Sequence, residues 1–403
     1  MSARRVAVTG IGVISAFGDS FAEFWTGVAA GSSAIRPMTL TPPGIVKFPN
    51  AAEAAAFNPL RYFDEKEAGF LDRFAQFAVV AAREAVAQSG LKLGAALKQR
   101  CAIVTGSSAG GTITEDANFK SFYAGNGRVS PLTIPLVMDN AGASRISREF
   151  GITGPVYTVS TACSSANHAI GQAFWMIRSG AVDAAIAGGS EAPFAPGFLK
   201  AWEALRVVSP DTCRPFSLDR RGLILGEGAG MLMLEPLDAA RARGAQIWGE
   251  IAGFGMSSDA HHLTQPLAEG AALAMRSALE DANLAPEALG YINAHGTGTQ
   301  ANDAAEVEAI RMVFGAHAQR LAVSSTKSMH GHALGAAGAL EAAATLAALR
   351  GGMIPPTANF IEPDPACDLD VVPNHSRPAE FEAAMSNSFA FGGLNAVLVF
   401  RRP

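Results

Sequence analysis

Four residues in this sequence have types and settings suited to nucleophilic cysteine chemistry: Cys163, His295, Lys327 and His332. Cys163 stands in Thr161-Ala162-Cys163-Ser164-Ser165, after the β-branched and aromatic run Val156-Tyr157-Thr158-Val159. Beyond it, Ile170, Phe174 and Ile177 recur at intervals of four and three, so residues 166–180 are predicted as a helix with one apolar face. A strand-to-helix turn puts the cysteine beside the orphan amides of a helix N-terminus. There a thiolate is stabilised and its pKa driven down. A buried structural cysteine is the alternative for the local pattern taken alone.

The sequence has eight histidines. His261 and His262 fall in a polar stretch, and His317 and His375 in surface-like sequence, so all four read as solvated. His168, on the helix after Cys163, reads as packing or an internal hydrogen bond. His295 follows a predicted strand and precedes Gly296-Thr297-Gly298-Thr299, and His332 lies five residues after Lys327. A lone Cys–His pair would suit hydrolysis or transfer equally. Two neutral imidazoles can each donate a hydrogen bond to a thioester oxygen as an enolate develops, which favours making a carbanion over activating water. A metal reading of the same residues lacks the ligand spacing of a zinc motif.

These groups must be carried by a large fold. The chain has 403 residues, 49% hydrophobic and 17% charged, with 42 glycines and a net charge of -5. That composition argues against disorder and against nucleic acid as the main partner. An acidic protein partner stays open. Cys101, Cys163, Cys213 and Cys367 form neither a disulfide framework nor a C-x-x-C pair. No signal peptide or membrane-length apolar run is present, so a cytoplasmic enzyme is expected. Gly10-Ile11-Gly12 resembles the start of a dinucleotide fingerprint, but Ser15 stands at the third glycine position and no acidic residue follows at the usual distance.

Strands alternating with helices predict an α/β layered fold. Predicted strands cover residues 6–15, 102–104, 181–189 and 230–234, with an amphipathic helix at 72–89 and a weakly periodic insertion at about 112–150. Residues 31–58 read as a surface excursion. The second half repeats the first: Val159-Ser160-Thr161-Ala162-Cys163 answers Val323-Ser324-Ser325-Thr326-Lys327, and His168-Ala169-Ile170-Gly171 answers His332-Ala333-Leu334-Gly335. A duplicated unit implies a pseudo-twofold arrangement that makes Cys163 and Lys327 neighbours. The polar connector at 238–243 divides the chain into halves 1–240, with the nucleophile, and 241–403, with both histidines. Mixed sheets are expected, since residues 222–234 and 383–400 both look like closing strand pairs.

At these residues the sequence resembles the elongating β-ketoacyl-acyl carrier protein synthases. The resemblance rests on Val6 to Gly12, Thr161 to Ser165, Asn293 to Thr299, Lys327 to Glu341 and Asn387-Ser388-Phe389-Ala390-Phe391-Gly392-Gly393, in colinear order. It implies a thiolase-like α-β-α-β-α fold of two duplicated halves, normally dimeric. It implies Cys163 as acyl-accepting nucleophile, and His295 and His332 as donors to the extender thioester during decarboxylation. Backbone amides of Cys163 and Phe391 would form the oxyanion hole, with Phe391 also the gating aromatic. Lys327 would order the site with Glu341 as its partner, and Thr297 and Thr299 would bind the phosphopantetheine arm. That arm arrives on the carrier protein; no bound cofactor or metal is implied.

Several positions depart from the family pattern. Ala109 stands where a bulkier residue lines the acyl pocket, implying a deeper or wider pocket. Ala390 replaces a glycine before the gate, where its Cβ would stiffen the loop. Leu394 replaces a threonine near the malonyl side, and His330 adds an unexplained imidazole. These departures favour a specialised polyketide, polyene or modified fatty-acid pathway. The alternatives are housekeeping elongation, the catalytic subunit of a heterodimer with a chain-length-factor-like partner, a non-catalytic partner subunit, and a coenzyme A thiolase. A thiolase would need a second C-terminal cysteine near Gly392-Gly393, which this chain lacks.

Overall fold

The computed structural model describes residues 3–403. Ten principal strands fall into two sets of five with one topology. In the first half they are β1 (Val6–Ile14), β2 (Cys101–Gly106), β3 (Val156–Val159), β4 (Ala184–Glu191) and β5 (Gly228–Pro236). In the second they are β6 (Gly249–Ser258), β7 (Leu289–Asn293), β8 (Ala322–Ser324), β9 (Ala383–Ala390) and β10 (Leu394–Arg401). The spatial orders β1-β5-β4-β2-β3 and β6-β10-β9-β7-β8 match strand for strand. In each set the first two pairings are antiparallel and the last two parallel. Both sheets are therefore mixed. They also join at one corner, where Val6 to Val8 of β1 pair antiparallel with Gly249 to Ile251 of β6.

The main helices are α1 (Phe21–Ala29), α2 (Arg73–Ser89), α3 (Thr112–Ser121), α4 (Thr133–Val137), α5 (Ala141–Phe150), α6 (Ser165–Arg178) and α7 (Pro196–Leu205). After a short helix at Leu237–Ala242 come α8 (Ala268–Ala282), α9 (Gln300–Phe314), α10 (Lys327–His330) and α11 (Ala337–Gly351). Helices α2 and α5 cover the outer face of the first sheet, and α8 covers that of the second with α9 packed beside it. Between the sheets lie α6 and α11, each touching strands of both. Residues 337–349 of α11 are all buried, as a small-residue helix sandwiched between two sheets must be. The result is the expected five layers.

Gly10 and Gly12 have a structural task. A Cβ at either would run into the carbonyls of Ala85 and Ala81 in α2. Gly253 and Gly255 of β6 stand in the same relation to Ala278 and Ala274 of α8. Each half opens with Gly-x-Gly so that its first long helix can lie directly on the strand backbone.

Two readings need correction and one gains detail. The first-half counterpart of the β9–β10 pair is β4 with β5, joined through residues 192–227, rather than a hairpin within 222–234. The insertion at 112–150 is helical, built from α3, α4 and α5 with a π-helical turn at Phe122–Asn126. The correspondence of His168 with His332 also breaks. His168 lies inside α6, whereas His332 lies in an irregular segment between α10 and α11. The second copy places α10 and a 3₁₀ turn (Leu334–Ala336) between strand and helix, and this extra chain carries the histidine. Among the described residues no helix is long and apolar enough to cross a membrane.

Candidate active site

The strand ends and turns of the two halves open on one cavity of about 120 Å³, lined by Cys163, Thr297, Thr299, His295, His332, Phe389 and Phe391 among others. Cys163 is 7% exposed and sits just before α6. Ala162 adopts φ 50°, a left-handed conformation rare for a residue with a Cβ, so the turn that presents the thiol is strained. Its hydrogen bonds hold it there: the Thr161 amide donates to Ser165 Oγ at 2.9 Å, and that hydroxyl donates to the Ala162 carbonyl at 2.6 Å. Burial pushes the Cys163 thiol up to about 12, with the Lys327 charge pulling the other way. Desolvation at an apolar wall with Phe194, Leu199, Trp202 and Leu334 thus works against the lowering expected from the helix N-terminus.

The imidazoles of His295 and His332 meet edge to face, with ring centroids 5.4 Å apart. Lys327 Nζ lies 3.2 Å from His295 Nδ1 and donates to the His295 carbonyl at 2.7 Å. An ammonium only donates, so Nδ1 of His295 accepts and the ring proton is on Nε2. The Leu334 amide donates to His332 Nδ1 at 3.2 Å, which fixes the same tautomer. Burial and then the Lys327 charge hold both rings well below the usual histidine pKa. The cavity thus has two neutral imidazoles, each with Nε2–H left to donate. Lys327 also bonds the buried Glu341 carboxylate. Burial raises the pKa of that carboxylate and Lys327 opposes the rise.

Thr297 and Thr299 join their hydroxyls at 2.9 Å on the cavity wall, and Thr299 caps α9. Phe391 stacks on Trp202 of α7 with centroids 6.2 Å apart and planes inclined by 25°. Its loop is tied to residues 259–267: the Gly392 amide donates to the Leu263 carbonyl at 2.7 Å, and the Asp259 amide to that of Gly393 at 2.8 Å. The structure thus gathers Cys163, His295, His332, Phe391, Thr297 and Thr299 on one cavity, with Lys327 and Glu341 immediately behind.

Other sequence-level expectations fare differently. Ala109 is not among the cavity-lining residues; its amide donates to Glu191 Oε1 at 3.2 Å. Leu394 pairs with Ala390 across the β9–β10 hairpin and also lies off the lining. Ala390 does line the cavity, in a backbone conformation that does not require glycine. His330 is buried against Phe24, its Nε2 3.0 Å from Thr326 Oγ1 and its Nδ1 without a partner. His168 bonds Thr161 Oγ1 at 3.0 Å, an internal contact as expected. His317 is half-buried and bonded to the Leu289 carbonyl at 2.9 Å rather than solvated. His262 is exposed, but it lines the cavity mouth and accepts from the amides of Thr264 and Gln265.

The buried carboxylates that shape the site were missed. Glu306 accepts from the amides of His295 and Gly296 at 2.8 Å each, and Asp303 from those of Phe216 and Gly298. Glu191 binds Ser107, Ser108 and the Gly335 amide, and burial raises its pKa to about 7. A signal existed for two of them. Asp303 and Glu306 share helical spacing with Val307 and Ile310, so they lie on the buried face of α9. Among the described residues no group of three or more His, Cys, Asp or Glu could hold a metal ion.

Residues 3–240 match the model of the β-ketoacyl synthase N-terminal domain, and residues 248–361 that of its C-terminal domain. The chain belongs to the β-ketoacyl synthase family, whose reaction is decarboxylative Claisen condensation, and it is an enzyme of that kind. It is 48% identical over 400 residues to nodulation protein E of Rhizobium sp. (strain N33), covering 99% of each chain. It is 42% identical to 3-oxoacyl-[acyl-carrier-protein] synthase 2 of Coxiella burnetii (strain RSA 493 / Nine Mile phase I), covering 100% of this chain and 99% of the relative. Among solved structures, the ishigamide ketosynthase/chain length factor superposes with a TM-score of 0.95 at 39% identity, covering 100% of both chains. With the family established, the coenzyme A thiolase alternative falls away, and the joint presence of Cys163, His295 and His332 on one cavity, with Lys327 behind it, argues against the non-catalytic one.

Proposed function

We propose that this chain extends an acyl group held on Cys163 by two carbons from a malonyl group on an acyl carrier protein, in a specialised pathway. In the loading step a bond forms between Cys163 Sγ and the acyl carbonyl as the carrier's C–S bond breaks, and the thiol proton passes to the carrier thiol. Malonyl then enters along Thr297 and Thr299, and its thioester oxygen accepts from Nε2–H of His295 and His332. Loss of carbon dioxide leaves the electron pair in an enolate that these two donors stabilise. The enolate carbon attacks the Cys163 thioester, whose oxygen is met by the amides of Cys163 and Phe391. Collapse breaks the C–S bond, releases 3-oxoacyl-carrier protein, and Cys163 takes up a proton.

The observation that carries this reading is the tautomer pair. Both rings engage Nδ1 with a donor, stay neutral and keep Nε2–H for an oxygen. The halves divide the work, residues 1–240 supplying the thiol and residues 241–403 the histidines. The specialised setting rests on similarity: relatives named nodulation protein E are 46–48% identical, against 42% for the Coxiella synthase. A second ketosynthase-like subunit, as in the ishigamide complex, suits the exposed apolar side chains Phe119, Phe122, Tyr123, Ile134 and Met138 of the helical insertion. The reaction then runs in the cytoplasm on a dimer. The test is acyl loading of Cys163 read by intact mass. An adduct there that malonyl-carrier protein converts into a product two carbons longer is the expected outcome.

A further inference from the structure

Room beside the nucleophile is short. A cavity of about 120 Å³ is smaller than the ~150 Å³ void that admits one benzene, and this one must also take the carrier's arm. The apolar surface next to Cys163 is built from Trp202, Leu199, Phe194, Leu223 and Leu334, with Phe391 packed against it. Phe391 covers Trp202 in a near-parallel stack, 6.2 Å between centroids and 25° between planes, within the range of favourable aromatic pairs. Trp202 is itself fixed: it is 8% exposed, and Phe198 meets it edge to face at 6.3 Å. Phe391, by contrast, sits just before Gly392 and Gly393, which adopt φ 84° and 72° in the hairpin turn. When an acyl chain enters, the phenyl ring is therefore the partner that leaves and the indole the one that stays.

We propose that Trp202 is a specificity-determining residue that selects planar, conjugated acyl chains. An acyl chain longer than a few carbons displaces Phe391 and takes its place on the indole face. A saturated chain replaces the lost stack with ordinary apolar contact. A polyenoyl or aryl chain restores a π-stack, so opening the gate costs it less. The inference rests on Cys163 being the acyl acceptor as proposed above, and the test separates the two.

Octa-2,4,6-trienoyl- and octanoyl-carrier protein, equal in carbon number, compete for the enzyme, and the two Cys163 adducts are resolved by intact mass. The wild type is expected to load the trienoyl chain about fivefold faster, the ratio that a restored aromatic contact supplies. Trp202→Leu should bring the ratio near one while still loading both chains, and Trp202→Phe should keep most of the preference. The wild-type ratio needs no variant to fold. Adducts with no preference in the wild type, or an undiminished preference in Trp202→Leu, would overturn this inference alone. No adduct from either chain would overturn the nucleophile assignment along with it.

Discussion

Lys327 acts on the two histidines by different routes. It donates to Nδ1 of His295 directly, while His332 takes its tautomer from the Leu334 amide and feels Lys327 only through its charge. Removing the thiol should leave this pair intact. Cys163→Ala should abolish acyl loading. Cys163→Gln should stop condensation yet leave malonyl decarboxylation running, as carbon dioxide release would record; a folded variant that lost both would contradict the division of roles. His330 offers a different test, since its ring makes no contact with the cavity. Burial lowers its pKa from 6.5 to about 3, so between those values the unfolded chain binds a proton that the folded chain does not. Stability is therefore lost as pH falls through this window, by about 2 kcal/mol at pH 5 from this residue. His330→Gln should show a smaller drop in melting temperature from pH 7 to pH 5 than the wild type; equal drops would show that the ring does not stay neutral.

At the scale of elements, the turn from Ala294 to Thr299 depends on two carboxylates of α9. Both oxygens of Glu306 are used, one on the His295 amide and one on the Gly296 amide. Glu306→Gln would set an NH₂ against one of those amides and leave a buried donor unmet, a cost of about 1–3 kcal/mol. It should lower the melting temperature and cut turnover tenfold or more while Cys163 still loads; unchanged turnover would show that the turn positions His295 without it. Of the groups that line the cavity, Cys163 and His295 were legible in the sequence because each follows a strand and stands beside glycines or hydroxyls, and His332 because it follows Lys327 so closely. Their supports were harder to see. Glu191 reaches loop 107–109 and Gly335 from far along the chain, and no local pattern predicts such contacts. Gly10 and Gly12 share the start of a nucleotide motif because close helix approach and phosphate approach demand the same residue; Ser15 and the missing acidic residue argue against the motif, and the repeat at Gly253 and Gly255 gives the glycines their structural reason.

At the scale of the molecule, the duplication of the fold was readable from the repeat, while the strand order, including the pairing of β4 with β5 across residues 192–227, was not, since nothing local announces a partner that distant. The symmetry also has a limit that matters for function. The longer segment between strand and helix in the second half carries His332, so the repeat supplies the frame and its breach adds the second imidazole. The insertion leaves Tyr123 81% exposed among other apolar side chains, and β3 ends its sheet with an open edge. Light scattering should therefore return about twice the 41.6 kDa of one chain, or a complex with a second subunit; a monodisperse monomer that still condenses would refute the dimer. The central claim is that Cys163 holds the growing chain while the two histidines make the enolate. Intact-mass spectrometry after incubation with acyl-carrier protein, followed by a malonyl-carrier protein chase, tests it most directly. The account predicts one acyl adduct confined to Cys163, discharged into a 3-oxoacyl product two carbons longer; an adduct elsewhere, or one that malonyl-carrier protein does not discharge, would contradict it.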